Sequence, residues 1–324
     1  MPARASAQEF KLTPKAYPKW TINVPNEVWT AAAAQIPIPH AEGEGFAVSP
    51  DGESLAVDTN ANGRLNGKVK GAYGFLKLKS DDSEGNPLVY GLRFRKRGKV
   101  WEYAASGAMT GKVNGVGVKV IDLNTNGVYN EYGVDAMVVG GGKSASYLSK
   151  VLNLKGELYS FEISKNGRTV KIDPYDGESG TLDLRSKFRS KGKLVSVVVS
   201  DESGAVSFNL AGAKGGMKVP VGKYSISGGL AKKGGESAQV KSGRMPAMTV
   251  EVNNKFVLDW GGPVKADFTY SVLGEQITVK PDVKYYGKAG EEYFNWNPDA
   301  KSPKIFVADA SNEKVVASGR FPSC

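Results

Sequence analysis

Oxygen-bearing side chains recur at one fixed spacing in two places. Val57-Asp58-Thr59-Asn60-Ala61-Asn62-Gly63-Arg64-Leu65-Asn66 returns as Ile121-Asp122-Leu123-Asn124-Thr125-Asn126-Gly127-Val128-Tyr129-Asn130. Each segment reads D-x-N-x-N-G-x-x-N and follows a strand-like, alternating approach. Oxygens at positions 1, 3 and 5 of such a loop converge on one point while the chain turns round it, and glycine at position 6 permits the sharp bend. A hard cation suits that donor set, calcium above all. The same residue types also close ordinary turns, because Asp and Asn side chains bond nearby backbone and tolerate left-handed conformations.

Both segments resemble the first nine positions of an EF-hand-type calcium loop. The resemblance implies side-chain oxygens from Asp58, Asn60 and Asn62 in the first copy and from Asp122, Asn124 and Asn126 in the second. Backbone carbonyls would come from Arg64 and Val128, and Asn66 and Asn130 would hold the ninth position. The twelfth position, a bidentate Glu in that family, is Val69 in one copy and Gly133 in the other. Glu131 and Asp135 stand near enough to replace it in the second copy, whereas the first has no such neighbour. With few carboxylates the expected calcium affinity is weak, about 10⁻⁴–10⁻³ M, and the expected role is to pin a loop. No amphipathic helix precedes either copy, so the loops belong between strands.

Other clusters offer less. Tyr285 to Asp299 crowds aromatics around Glu291 and Glu292. Tyr293 and Trp296 could stack on a sugar, but adjacent strand residues face opposite ways, so the two glutamates do not read as a glycosidase pair. Two basic runs, Arg93–Lys99 and Arg185–Lys193, each carry one Phe. Charge-protected strand edges explain them, and no recognition helix or RNA-binding aromatic motif accompanies them, which disfavours nucleic acid. Gly140-Gly141-Gly142-Lys143-Ser144 lacks the first glycine of a phosphate loop, its place being taken by Met137. The single His40 lies in a proline-rich stretch and is expected to be exposed, and Cys324 reads as a free or intermolecular thiol.

The 324 residues suffice for two or three domains. One His and one Cys exclude an intrachain disulfide framework and a Cys/His zinc site. The 40 glycines follow no G-X-Y period and fall mostly between strand-like segments, as turns require. The formal charge of +10 is uneven: residues 1–184 carry 22 basic and 20 acidic groups (22 − 20 = +2), and residues 185–324 carry 21 and 13 (21 − 13 = +8). No apolar run is long enough for a transmembrane helix. Ala5-Ser6-Ala7 has the small-x-small form that precedes a signal cleavage site, so a secreted or cell-surface location is expected although no signal peptide is present.

These features predict a mainly β, multidomain protein of antiparallel sandwiches with one short N-terminal helix, Pro25 to Ala34, packed through Trp29. Residues 1–43 are expected to be irregular apart from that helix, followed by a β domain at 44–184 holding both D-x-N-x-N-G loops. A basic linker follows at 185–193, then a small sandwich at 194–254 and an Ig-like β domain at 255–324, with one unit spanning both as the alternative. Val219-Pro220-Val221-Gly222-Lys223-Tyr224 resembles the P-x-G-x-Y turn of transthyretin-like and carboxypeptidase-regulatory-like sandwiches. An Ig-like sandwich ending at Arg320-Phe321-Pro322-Ser323-Cys324 is expected to lack a closing strand. The expected function is non-catalytic: an exported structural or binding protein with calcium-stabilised loops, whose partner is an acidic polysaccharide or another surface protein. The alternatives are a carboxylate-dependent polysaccharide hydrolase and a subunit that forms homo-oligomers by strand addition.

Overall fold

Alternating apolar and polar residues turn one face of each strand inward, and hairpins follow wherever Gly and Asn supply the turn. The computed structural model describes residues 7–274, 276–280, 282–296 and 304–320. Among these the chain is strand and turn throughout, with no α-helix, arranged as many mostly antiparallel sheets in a sandwich-like architecture. No helix among them is long and apolar enough to cross a membrane. Ala5, Ser6 and Cys324 lie outside the described residues.

Three meanders and a small sheet surround a first core. Tyr73–Asp81, Pro87–Arg97 and Val100–Ala105 form one meander. Gly107–Val113, Val116–Ile121 and Ala136–Val139 form the second, and Val151–Leu154, Glu157–Ile163 and Thr169–Pro174 the third. Phe46–Asp51, Ser54–Val57 and Gly67–Lys70 complete the set. Phe46, Leu55, Leu92, Trp101, Val120 and Phe161 are fully buried between them.

The N-terminal residues supply a covering strand to each of these sheets. Gln8–Lys11 pairs with Thr169–Pro174, and Thr13–Ala16 pairs with Gly107–Val113. Thr30–Ala31 pairs with Val100–Ala105, and Gln35–Ile36 pairs with Phe46–Asp51. Each lies at a sheet edge, where it occupies backbone groups that would otherwise be open to a second chain.

The short helix expected around Trp29 does not form. Thr30 and Ala31 are strand, and the Ala32 N–H donates to the carbonyl of Trp101 at 2.7 Å. The Trp29 indole donates to Glu27 and its ring lies 5.0 Å from the Arg93 guanidinium and 4.0 Å from that of Arg95. A helix this short gains too few internal bonds to offset its nucleation, so edge pairing and cation–π contacts decide the conformation. His40 also differs from expectation. It is tucked 4.7 Å from the Phe46 ring, with its Nε2 3.1 Å from the Gly45 carbonyl oxygen.

A second core lies around a larger sheet in which Lys193–Asp201, Gly222–Lys233, Glu236–Lys241, Glu292–Phe294, Lys284–Tyr286 and Lys265–Asp267 are successive neighbours. Strands on both sides of residue 254 therefore share one sheet. Ser179–Asp183 pairs antiparallel with Met217–Pro220 and parallel with Lys255–Val257, and its Leu182 is buried in this second core. Within the basic stretch, Phe188–Arg189 pairs with Trp260–Gly261. The Pro220-x-Gly222-x-Tyr224 turn is closed by the buried Tyr224, whose hydroxyl donates to the Pro220 carbonyl at 3.0 Å. Among the described residues two further hairpins, Tyr270–Leu273 with Gln276–Val279 and Lys304–Ala308 with Val315–Arg320, pair within themselves and with no other strand.

Candidate functional site

The two D-x-N-x-N-G loops share one backbone course. Position 4 is left-handed in both, at Ala61 (φ 56°) and Thr125 (φ 58°), and so is position 6, at Gly63 (φ 74°) and Gly127 (φ 79°). In each, the position 1 carboxylate faces into the turn and accepts the N–H groups of positions 5 and 6. For Asp122 these come from Asn126 at 3.2 Å and Gly127 at 2.6 Å, and for Asp58 from Asn62 at 3.4 Å and Gly63 at 2.8 Å. Position 5 repeats as well: the Asn126 and Asn62 side-chain oxygens accept the N–H of Val128 and Arg64.

The loops differ in what surrounds this frame. In the first, Asn60 Oδ1 accepts from the Asn66 amide at 2.6 Å, and Asn66 Oδ1 accepts from both the N–H and the hydroxyl of Thr59. Asp58 is its one carboxylate, and Asn60, Asn62, Arg64 and Asn66 are exposed. This is a turn whose side chains satisfy one another.

The second loop, between Val116–Ile121 and Ala136–Val139, gathers three carboxylates. Asp122 and Asp135 are buried to 1 % and 0 % exposure. Asp135 accepts from the N–H of Leu123 at 3.3 Å and of Glu131 at 3.1 Å, which ties the two ends of the loop together. Glu131 Oε2 accepts amide hydrogens from both Asn124 (2.9 Å) and Asn126 (2.7 Å), and Asn124 Oδ1 is buried with no donor. Asn130 takes no part in these bonds. No ion pair among the described residues involves Asp122, Glu131 or Asp135. Burial pushes the Asp122 carboxyl up to about 7 against the bonds it accepts, and burial together with the Asp122 charge pushes Asp135 up to about 8. No three His, Cys, Asp or Glu side chains among the described residues are already placed to hold an ion, so amide and backbone oxygens would have to share the coordination.

Tyr90 completes the loop from another sheet. Its buried hydroxyl donates to Asp122 Oδ2 at 2.8 Å. Spacing around Asp122 gives no hint of this partner 32 residues away. The alternation that turns Tyr90, Leu92 and Phe94 inward was the only available signal.

The remaining candidates are otherwise engaged. Glu291 is fully buried, accepting the N–H groups of Gly261 and Ala289 and the hydroxyl of Tyr293, while Glu292 faces Lys241 at 3.2 Å. Arg93 is stacked on Trp20 and Trp29 and paired with Glu27, Arg95 is paired with Glu102, and Lys96 with Glu53. Tyr293 is buried and Trp296 is half-buried beside it, ring centroids 6.2 Å apart. Compared with protein-family models, curated proteins and solved structures, the chain matches none.

Proposed function

We propose that the chain is a non-catalytic, extracellular or surface-associated structural and binding protein in which the loop from Asp122 to Asp135 holds a calcium ion. One observation carries this reading: two buried carboxylates and a donorless amide oxygen, Asn124 Oδ1, lie in one loop without a cationic side chain. Leaving carboxylates buried and unpaired is costly, and the folded loop meets that cost in part by holding them towards their protonated forms. Amide hydrogens from Asn124 and Asn126 stand against Glu131, where a cation would stand instead. Turning the Asn124 amide end over exchanges its N–H for its donorless oxygen, which would then face calcium alongside Asp122, Glu131, Asp135 and the Val128 carbonyl, while Asn126 keeps its oxygen on the Val128 N–H.

Such an ion would staple the connection between two neighbouring strands of the first core and leave chemistry to no side chain. Affinity in the expected range saturates only where calcium is near millimolar, which suits an exported protein. The enclosure of Glu291 supports a non-catalytic reading. Calcium titrated into EDTA-treated protein should bind at one site per chain, and Asp122→Asn should abolish that binding. A chain that takes up no calcium at millimolar concentration would end the proposal.

A further inference from the structure

The basic stretch after Asp183 and the aromatic run ending at Trp296, far apart in sequence, form two walls of one cleft of about 370 Å³. Arg189 and Lys191 come from the basic stretch. Lys232 and Lys233 come from the end of Gly222–Lys233, where that strand turns back at Gly234. Trp296 lines the same cleft, held edge-on by Tyr285 with ring centroids 5.3 Å apart, and Tyr293 lies beside it with its hydroxyl fixed on Glu291. Arg189 shares Asp259 with Lys288, whereas Lys191, Lys232 and Lys233 make no ion pair among the described residues. Among the described residues Glu236 is the one acidic side chain on the wall.

We infer that this cleft binds an acidic oligosaccharide, a uronate or sulfated chain. The apolar face of a sugar ring packs on the exposed part of the Trp296 ring, its carboxylate or sulfate groups meet the lysines, and Ser190 and Ser237 offer hydroxyls to the ring oxygens. The volume is at the small end of ligand sites, which span about 300–1,000 Å³, and suits a short segment of a polymer. Among the described residues the lining carries two rings, the buried Tyr293 and the half-buried Trp296, which argues against single-stranded nucleic acid, since that uses a series of aromatic platforms for successive bases. The inference does not depend on the calcium reading, because the cleft belongs to the second core.

Isothermal titration at low salt with a sulfated hexasaccharide, a galacturonate hexamer, cellohexaose and a ten-residue oligothymidylate tests it. At least one acidic sugar should bind more tightly than cellohexaose and the oligonucleotide. Lys232→Glu with Lys233→Glu should weaken that binding about tenfold or more, with the gap narrowing as salt rises. Trp296→Ala should weaken it about tenfold. The lysines are exposed, so the double variant should melt with the wild type and keeps the test valid if Trp296→Ala misfolds. Binding of neither acidic sugar, equal binding of cellohexaose, tighter binding of the oligonucleotide, or an affinity unmoved by the lysine variant overturns the inference.

Discussion

Calcium should raise the melting temperature of the first core, and Asp122→Asn should erase the increase. An ion that binds only the folded chain stabilises it by RT ln(1 + [Ca]/Kd). At about 10 mM calcium this is about 1.4 kcal/mol for a Kd of about 1 mM and about 2.7 kcal/mol for a Kd of about 0.1 mM. For a unit of this size, about 2–4 °C per kcal/mol turns that into an increment of about 3–11 °C. Asn at position 122 keeps an oxygen towards Gly127 and Tyr90 but loses the charge that would anchor the ion. Asp58→Asn is the control: the first loop satisfies its own side chains, so its variant should retain the full increment. Calorimetry on EDTA-treated protein at matched ionic strength provides the measurement. An absent increment in the wild type, or one that survives Asp122→Asn, refutes the reasoning.

Trp29→Ala removes the ring over Arg93 and Arg95 and the indole bond to Glu27, and should cost about 1–3 kcal/mol in denaturant unfolding without altering far-ultraviolet dichroism in the helical region. Tyr224→Phe leaves the Pro220 carbonyl without its buried donor and should destabilise the second core by about 1–2 kcal/mol. Asp183 supplies the pH test. Burial raises its pKa, but the Ser186 hydroxyl and N–H, Lys255 at 2.9 Å and the Arg185 N–H outweigh that and hold it at about 2 against an ordinary 3.8. Folding lowers this pKa, so the associated stability, about 2 kcal/mol, is complete above about pH 4 and fades towards pH 2. Asp183→Asn should therefore be less stable than the wild type at pH 7, with the difference shrinking over that acid range; a difference constant from pH 7 to pH 2 would contradict the assignment.

What the sequence made legible was local. Lys165-Asn166-Gly167 announces the turn between Glu157–Ile163 and Thr169–Pro174, and the apolar run at Leu194 lies within Lys193–Asp201. The repeated loop spacing marks two turns whose backbones agree position by position. Partner choice was not legible. Nothing in Gln8–Lys11 or Thr13–Ala16 says which sheet edge each will cover, because short edge strands are specified by the groups left open beside them. The alanines after Trp29 favour helix by propensity alone, and a contact with Arg95 on a distant strand reverses the outcome. Glu131 and Asp135 already set the second loop apart in the sequence, whereas Tyr90, which reaches Asp122 from another sheet, did not show in the spacing.

The basic character of the chain also divides once its partners are known. Two arginines and a lysine in the run Arg93–Lys99 lie against Trp20, Trp29, Glu27, Glu102 and Glu53, so that run knits the N-terminal residues to the first core. In the second half, which carries +8, Lys191, Lys232 and Lys233 make no ion pair among the described residues and line one cleft together with Glu236. Like charges brought together by a fold repel one another, and at about 0.1 M salt that repulsion acts over about 10 Å. Such a grouping costs stability when nothing is bound, and an anion shared among the lysines relieves it. On the inference of an acidic ligand the excess charge of the second half serves that cleft, while the first half uses its arginines as mortar.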